Sequence, residues 1–233
     1  MPRLGVEFDD AVLTRRSVHD YSDESVDEAT LEAVFERVRF SPSSFNLQPW
    51  EFLVLTEDEN RERLQEVAYG QEHVTDAPVA IAVLGNTDPS AHGEAVAEDM
   101  LRKGYLPNEE AKAGLLETFD GMTEQTDEEN RVWTQRSTSL AAMTLLHAAR
   151  AEGLSTCPMG GFDGDALLEE FDIDERYEPV MLVTLGYAAE DAADKENERK
   201  FRRPVGDIVH YETFEPTEAE LEAEDEPVAG ASQ

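Results

Sequence analysis

Two short runs, APVAIAVLGN (77–86) and PVMLVTLGY (179–187), constrain what this chain can fold into more than any other feature. Each is nearly continuous in small and branched apolar residues and too short for a buried helix, so each reads as a strand covered on both faces. Between and around them lie segments of helical character. SVDEATLEAVFERVRF (25–40) places Leu31, Val34, Phe35 and Val38 at helical spacing, behind a capping box made by Ser25 and Glu28. FDDAVLT (8–14) is a short helix, EDENRERLQEVAYG (57–70) a helix closed by Gly70, and residues 90–130 hold two or three acidic amphipathic segments. WTQRSTSLAAMTLLHAARAEG (133–153) is a long Ala-rich helix stopped by Gly153, and GDALLEEF (164–171) a short one. EFLVLT (51–56) and the start of LSTCPMGGFD (154–163) add two strands, giving an α+β sandwich around a central sheet. Residues 188–204 show no apolar period and read as an extended excursion.

The 233 residues suffice for one domain with a sizeable core, placed at 1–212. Residues 213–233 form an acidic tail in which, from Glu215 onward, the only large apolar side chains are Leu221 and Val228, and this tail is expected to be disordered. Cys157 is the single cysteine, which excludes an intramolecular disulfide and a thiolate cluster. No leader and no membrane span is legible, so a cytoplasmic location is expected.

The chain carries 53 acidic and 19 basic residues, a formal net charge of −34, and its cations are 15 Arg against 4 Lys. That balance excludes nucleic acid as a partner, since nothing resembles a basic stripe. It is similar to that of proteins adapted to multimolar salt, where screening shortens to about 3 Å and self-repulsion fades.

Against such a background, clustered cations need a reason. Arg15-Arg16-Ser17 follows the first short helix, and Arg199-Lys200-Phe201-Arg202-Arg203 lies near the far end of the folded part. Guanidinium forks match phosphate geometry, so the two clusters could converge on one phosphate; pairing with the abundant surface carboxylates is the other reading. SPSSFNLQPWEF (41–52) poses a second question, because it sets short donors and acceptors between a helix stop at Ser41-Pro42 and a strand starting at Trp50. A solvated turn or a backbone held near a flat polar ligand would each use such residues. His73, His92, His147 and His210 show no metal-ligand spacing and read as surface or satisfied histidines, so no metal is expected. Ser137 and Ser139 read as helix-surface residues, Cys157 as a buried inert thiol, and Trp50 as a core or dimer anchor.

RRSVHDY (15–21), SPSSFNLQPWEF, CPMGGFD (157–163) with RYEPVMLVTLGY, and KFRRP (200–204) occur together in an order that resembles the nitroreductase family of FMN-dependent oxidoreductases. The resemblance implies a dimeric three-layer sandwich with a mostly antiparallel sheet and FMN at the subunit interface. It assigns Arg15, Arg16, Ser17 and His19, with Lys200 and Arg202, to the FMN phosphate and ribityl chain. It places Pro42, Ser43, Ser44 and Asn46 beside the ring from the partner subunit, and Gln71 near the pyrimidine edge. Pro158, Met159, Gly160 and Gly161 become the turn under the flavin, where a missing Cβ lets backbone approach the ring. His19 stands where the family more often has Arg or Lys, and Gly160 where some members have Glu. The activity implied is ping-pong electron transfer from NADH or NADPH to a nitroaromatic, quinone or similar small acceptor, with no side chain needed as general acid. Other FMN chemistry, such as dehalogenation or an oxidase reaction, and a non-catalytic acidic interaction dimer are the alternatives.

The charge alone generates one prediction. The melting temperature should rise between low and multimolar salt, and a thermal scan in which it stays constant would remove the salt-adapted reading.

Overall fold

The computed structural model describes residues 8–190, 192, 199–216 and 218. The chain divides into two compact units, residues 1–193 and 194–233. In the first, the elements run α1 (Phe8–Thr14), α2 (Glu28–Val38), a 3-10 turn (Ser44–Asn46), β1 (Trp50–Leu55), α3 (Asp58–Val67), α4 (His73–Asp76), β2 (Val79–Asn86), α5 (Gly93–Arg102), α6 (Glu109–Thr123), α7 (Asp127–Ala151), β3 (Ser155–Met159), α8 (Gly164–Glu170) and β4 (Tyr177–Gly186). The strands form one antiparallel sheet in the order β1-β2-β4-β3. The two continuous apolar runs thus occupy its centre.

Alternation along the central strands feeds two cores. Val79, Ile81 and Val83 of β2, with Val183 and Leu185 of β4, face Val34 and Val38 of α2 and Ala141, Ala142, Leu145 and Ala149 of α7. Ala80, Ala82 and Leu84, with Leu182, face Leu64 and Val67 of α3, Val74 of α4 and Leu167 of α8. This is the three-layer sandwich. Pro179 sits where the β2–β4 register shifts between Val83 and Leu84, a position at which a strand can lose a donor cheaply. Among the described residues no helix is long and apolar enough to cross a membrane.

Local differences from the sequence reading have simple causes. The cap of α2 is Asp27, two residues beyond Ser25, whose carboxylate accepts from Thr30 N at 2.7 Å. Helix α7 begins six residues before Trp133, behind a capping box in which Thr126 and Glu129 exchange side-chain and backbone bonds. Its first turns are polar and lack an apolar period, which hid them. Ser137 is buried, not on the surface, and accepts from Ser44 N at 3.3 Å.

The second unit contains α9 (Val205–Ile208), with Arg203 donating to the Asp207 carbonyl and His210 packed edge-on against Phe214 at 4.9 Å. Of the expected acidic tail, Thr217 and residues 219–233 lie outside the described residues.

Helix α7 crosses β2 over Gly85. A Cβ there would lie 2.5 Å from Thr134 Oγ1 and 2.9 Å from Thr138 Oγ1, both buried hydroxyls. Gly85→Ala should therefore destabilise the fold by about 1–3 kcal/mol in urea denaturation, with part of the loss recovered by adding Thr134→Ala.

Candidate functional site

The chain segment after α1 runs alongside β3 as a short parallel bridge, Ser17 opposite Thr156, with Val18 N donating to Thr156 O at 3.2 Å. Tyr21 fixes the segment's far end: its hydroxyl shares a 2.8 Å hydrogen bond with Thr184 Oγ1, and burial pushes the phenol well above its ordinary pKa. Arg15 and Arg16, just ahead of the bridge, are half-buried, while Ser17 at the bridge and His19 between the anchors are exposed. β3 leads directly into Gly160-Gly161.

That turn is held from the opposite side. Gln71 Nε2 donates to Ala68 O at 2.9 Å and to Gly161 O at 2.7 Å, and Asp163 N donates to Val67 O at 2.9 Å. Chain reversal before Gln71 uses left-handed backbone at Tyr69 (φ 57°) and Gly70 (φ 73°), where only glycine is unstrained. With its amide hydrogens committed, Gln71 has Oε1 left to accept from a ligand. A Cβ on Gly160 would meet nothing within 4 Å, so the turn is open at that point.

His73, at the start of α4, stacks on His19 with ring centroids 4.5 Å apart and planes 24° apart. Its Nε2 is buried without a hydrogen-bond partner among the described residues, so it is neither a surface nor a satisfied histidine. Burial, reinforced by His19 and opposed by Asp76, lowers its pKa from 6.5. Cys157 is 5% exposed; burial raises its thiol pKa, against a hydrogen bond with Ser17 and the charge of Arg15. The same guanidinium acts on His147, whose pKa is lowered first by burial. Pro158 and Met159, expected in the turn, are the last residues of β3, paired with Val183 and Leu182, and only Gly160 and Gly161 follow the strand; with Arg15, Arg16, Ser17, His19 and Gln71 they belong to one neighbourhood, cationic at one end and glycine at the other.

Residues 42–48 take part in a different arrangement. Phe45 (φ 52°), Asn46 (φ 60°) and Gln48 (φ 47°) are left-handed, held by Gln48 N donating to Ser43 Oγ at 3.0 Å and by Phe45 packed edge-on against Phe119. Asn46, Gln48 and Trp50 line an open cavity of about 410 Å³ with His92, Val96 and Asp99 of the α5 region. Pro42 and Ser44 are exposed and Ser43 is half-buried. Lys200 and Arg202 lie in the second unit, both exposed, with Arg202 Nη1 donating to the carbonyls of Lys200 and Phe201.

Residues 12–187 match the model of the nitroreductase family. A Bacillus subtilis protein with the provisional name NAD(P)H nitroreductase YodC is 35% identical over 184 residues, covering 78% of this chain and 90% of its own. Among solved structures, the provisionally named nitroreductase ydfN of Bacillus subtilis superposes with a TM-score of 0.81 at 29% identity, over 88% of this chain and 98% of its own. A provisionally named nitroreductase from Exiguobacterium sibiricum, solved in complex with FMN, gives 0.78 at 27% identity, over 91% and 100%.

The depressed pKa of His73 fixes a pH dependence. An unfolded imidazole takes up its proton near 6.5 while the folded one resists, so the stability contribution is complete above 6.5 and is lost as pH falls toward the lower folded value. His147 acts in the same sense. Urea midpoints should decline from pH 7 to pH 5, and His73→Asn should flatten that decline without abolishing it.

Proposed function

The chain belongs to the nitroreductase family, and from this we propose that it binds FMN and passes electrons from NADH or NADPH to a small-molecule acceptor, a nitroaromatic, quinone or similar compound, in two half-reactions. The observation that carries this reading is the linkage of three separate stretches: Ser17 bridged to β3, β3 leading into Gly160-Gly161, and Gln71 bonded to Gly161. Those residues fit the group: half-buried guanidinium ions for a phosphate, an amide oxygen for a ring N–H, and a glycine turn with no side chain in the way.

Bound FMN supplies the hydride-accepting ring, and the protein supplies position and field. Arg15 and Arg16 clamp the phosphate as bidentate donors, and Ser17 adds a hydroxyl. His19 stands beside them in place of a permanently charged residue. Backbone N–H groups of Gly160 and Gly161 favour negative charge on the ring edge that lies against them. The loop holding Pro42, Ser43, Ser44 and Asn46 serves the site of a second copy in a homodimer. On this reading residues 1–212 are the FMN-binding domain, acting in the cytoplasm.

The test is the visible spectrum of purified protein before and after anaerobic addition of NADH or NADPH. Flavin bands that bleach are expected, and return of the colour on adding a quinone or nitroaromatic completes the cycle. Flavin bands that persist would move the chain to FMN chemistry without a nicotinamide donor. A protein that stays colourless after reconstitution with FMN overturns the proposal in favour of a non-catalytic dimer.

A further inference from the structure

Three side chains remote in sequence meet beside the glycine turn. The ligand atoms of His19, His73 and Cys157 all lie within 4.8 Å of one another. We infer that these three residues form a binding site for a thiophilic d10 cation, Zn2+ or Cu+. The donor set is two imidazoles and one sulfur, the combination that such ions prefer over the oxygen ligands of Mg2+ or Ca2+.

Proximity is joined by a second, independent observation. The buried Nε2 of His73 has no hydrogen-bond partner among the described residues, although an unpartnered buried polar atom is costly and rare. A cation accepting that lone pair would satisfy it.

Metal–ligand bonds of about 2.0–2.3 Å require donor atoms roughly 3.3–3.8 Å apart, closer than the outer limit seen here. His19 is the exposed member of the set, with the most freedom to turn toward Cys157 and His73. On binding, the Cys157 thiol loses its proton to solvent as the metal–sulfur bond forms, and the thiolate takes one unit of the ion's charge. Burial of Cys157 penalises a residual charge on the complex. That penalty favours Cu+, whose thiolate complex is neutral, over Zn2+, which keeps one positive charge and needs a water as fourth ligand. Because His19 is also among the residues proposed to hold FMN, cation and cofactor lower one another's affinity by the same factor; this last clause rests on the functional reading above.

The test titrates the full-length chain, stripped of cofactor and kept reduced, with Zn2+ and separately with Cu+ against a competing chelator. One equivalent should bind with release of one proton, and Cys157→Ser and His73→Asn should each weaken binding by more than about tenfold, with circular dichroism checking that both fold. If Cys157→Ser does not fold, His73→Asn carries the comparison alone. Equal uptake by wild type and variants would show cations held by surface carboxylates and overturn the site, as would no uptake of either ion. Tighter binding of Zn2+ than of Cu+ would overturn the charge argument for Cu+. Repeating the titration on the FMN-loaded protein reads the competition: unchanged cation affinity would overturn the shared use of His19. A chain that takes up one cation but never binds FMN would sink the functional reading and leave the cation site standing.

Discussion

Burying both faces of β2 and β4 is the constraint on which the rest of the first unit depends. A strand whose alternate side chains all point into protein must have a helical layer on each side, and here α2 and α7 cover one face while α3, α4 and α8 cover the other. With those strands central, β1 and β3 become the edges. An edge strand has backbone groups to spare, and β3 uses one of them to receive Val18 N at Thr156 O. The cationic segment is thus brought to the sheet margin by the same pairing that completes β3. The turn after Met159 then emerges at the end of that margin, where Gln71 can reach it.

Charge is distributed to match. Several helix cations pair with carboxylates in the manner of an ordinary exposed surface: Arg37 with Glu152 at 2.6 Å, Arg63 with Glu170 at 2.6 Å, and Lys112 with both Glu94 and Glu98. Such pairs are worth little individually in water and less in salt. Arg15 differs in what its field reaches, since it bears on the buried Cys157 thiol and on His147. Burial screens such interactions less than open solvent does, so a net charge of −34 can surround the site without cancelling it.

The fold was legible because its signals are local and redundant. The central strands announce themselves by continuous apolar character, α2 by its 3.6 period, and α3 and α7 by the glycines that close them. The site was legible only through the combination of motifs that resembles the nitroreductase family, because Arg15, Gln71 and Gly160 share no period and lie on three separate stretches of chain. His73 escaped for a related reason. Its meaning comes from stacking on His19 and from an Nε2 buried by neighbours distant in sequence, and no spacing rule records either. Ser137 was misplaced because one serine on an Ala-rich helix looks the same whether it faces solvent or the Ser43–Gln48 loop.

That loop carries the strongest local argument for a shaped, waiting surface. Left-handed backbone costs little at Asn46 but of order 1–3 kcal/mol at residues such as Phe45 and Gln48, so an unsupported segment would relax out of it. Support is visible in the Ser43–Gln48 bond, the Ser44–Ser137 bond, the burial of Leu47 at 1% exposure and the Phe45–Phe119 contact. All of these belong to one chain. The conformational cost of forming the loop is therefore met during folding, before any second copy or ligand arrives, and whatever docks against Asn46 and Gln48 binds a surface that does not have to be ordered on contact. A preformed loop of this kind is what a site assembled across two subunits needs, since each subunit can present its share in final shape.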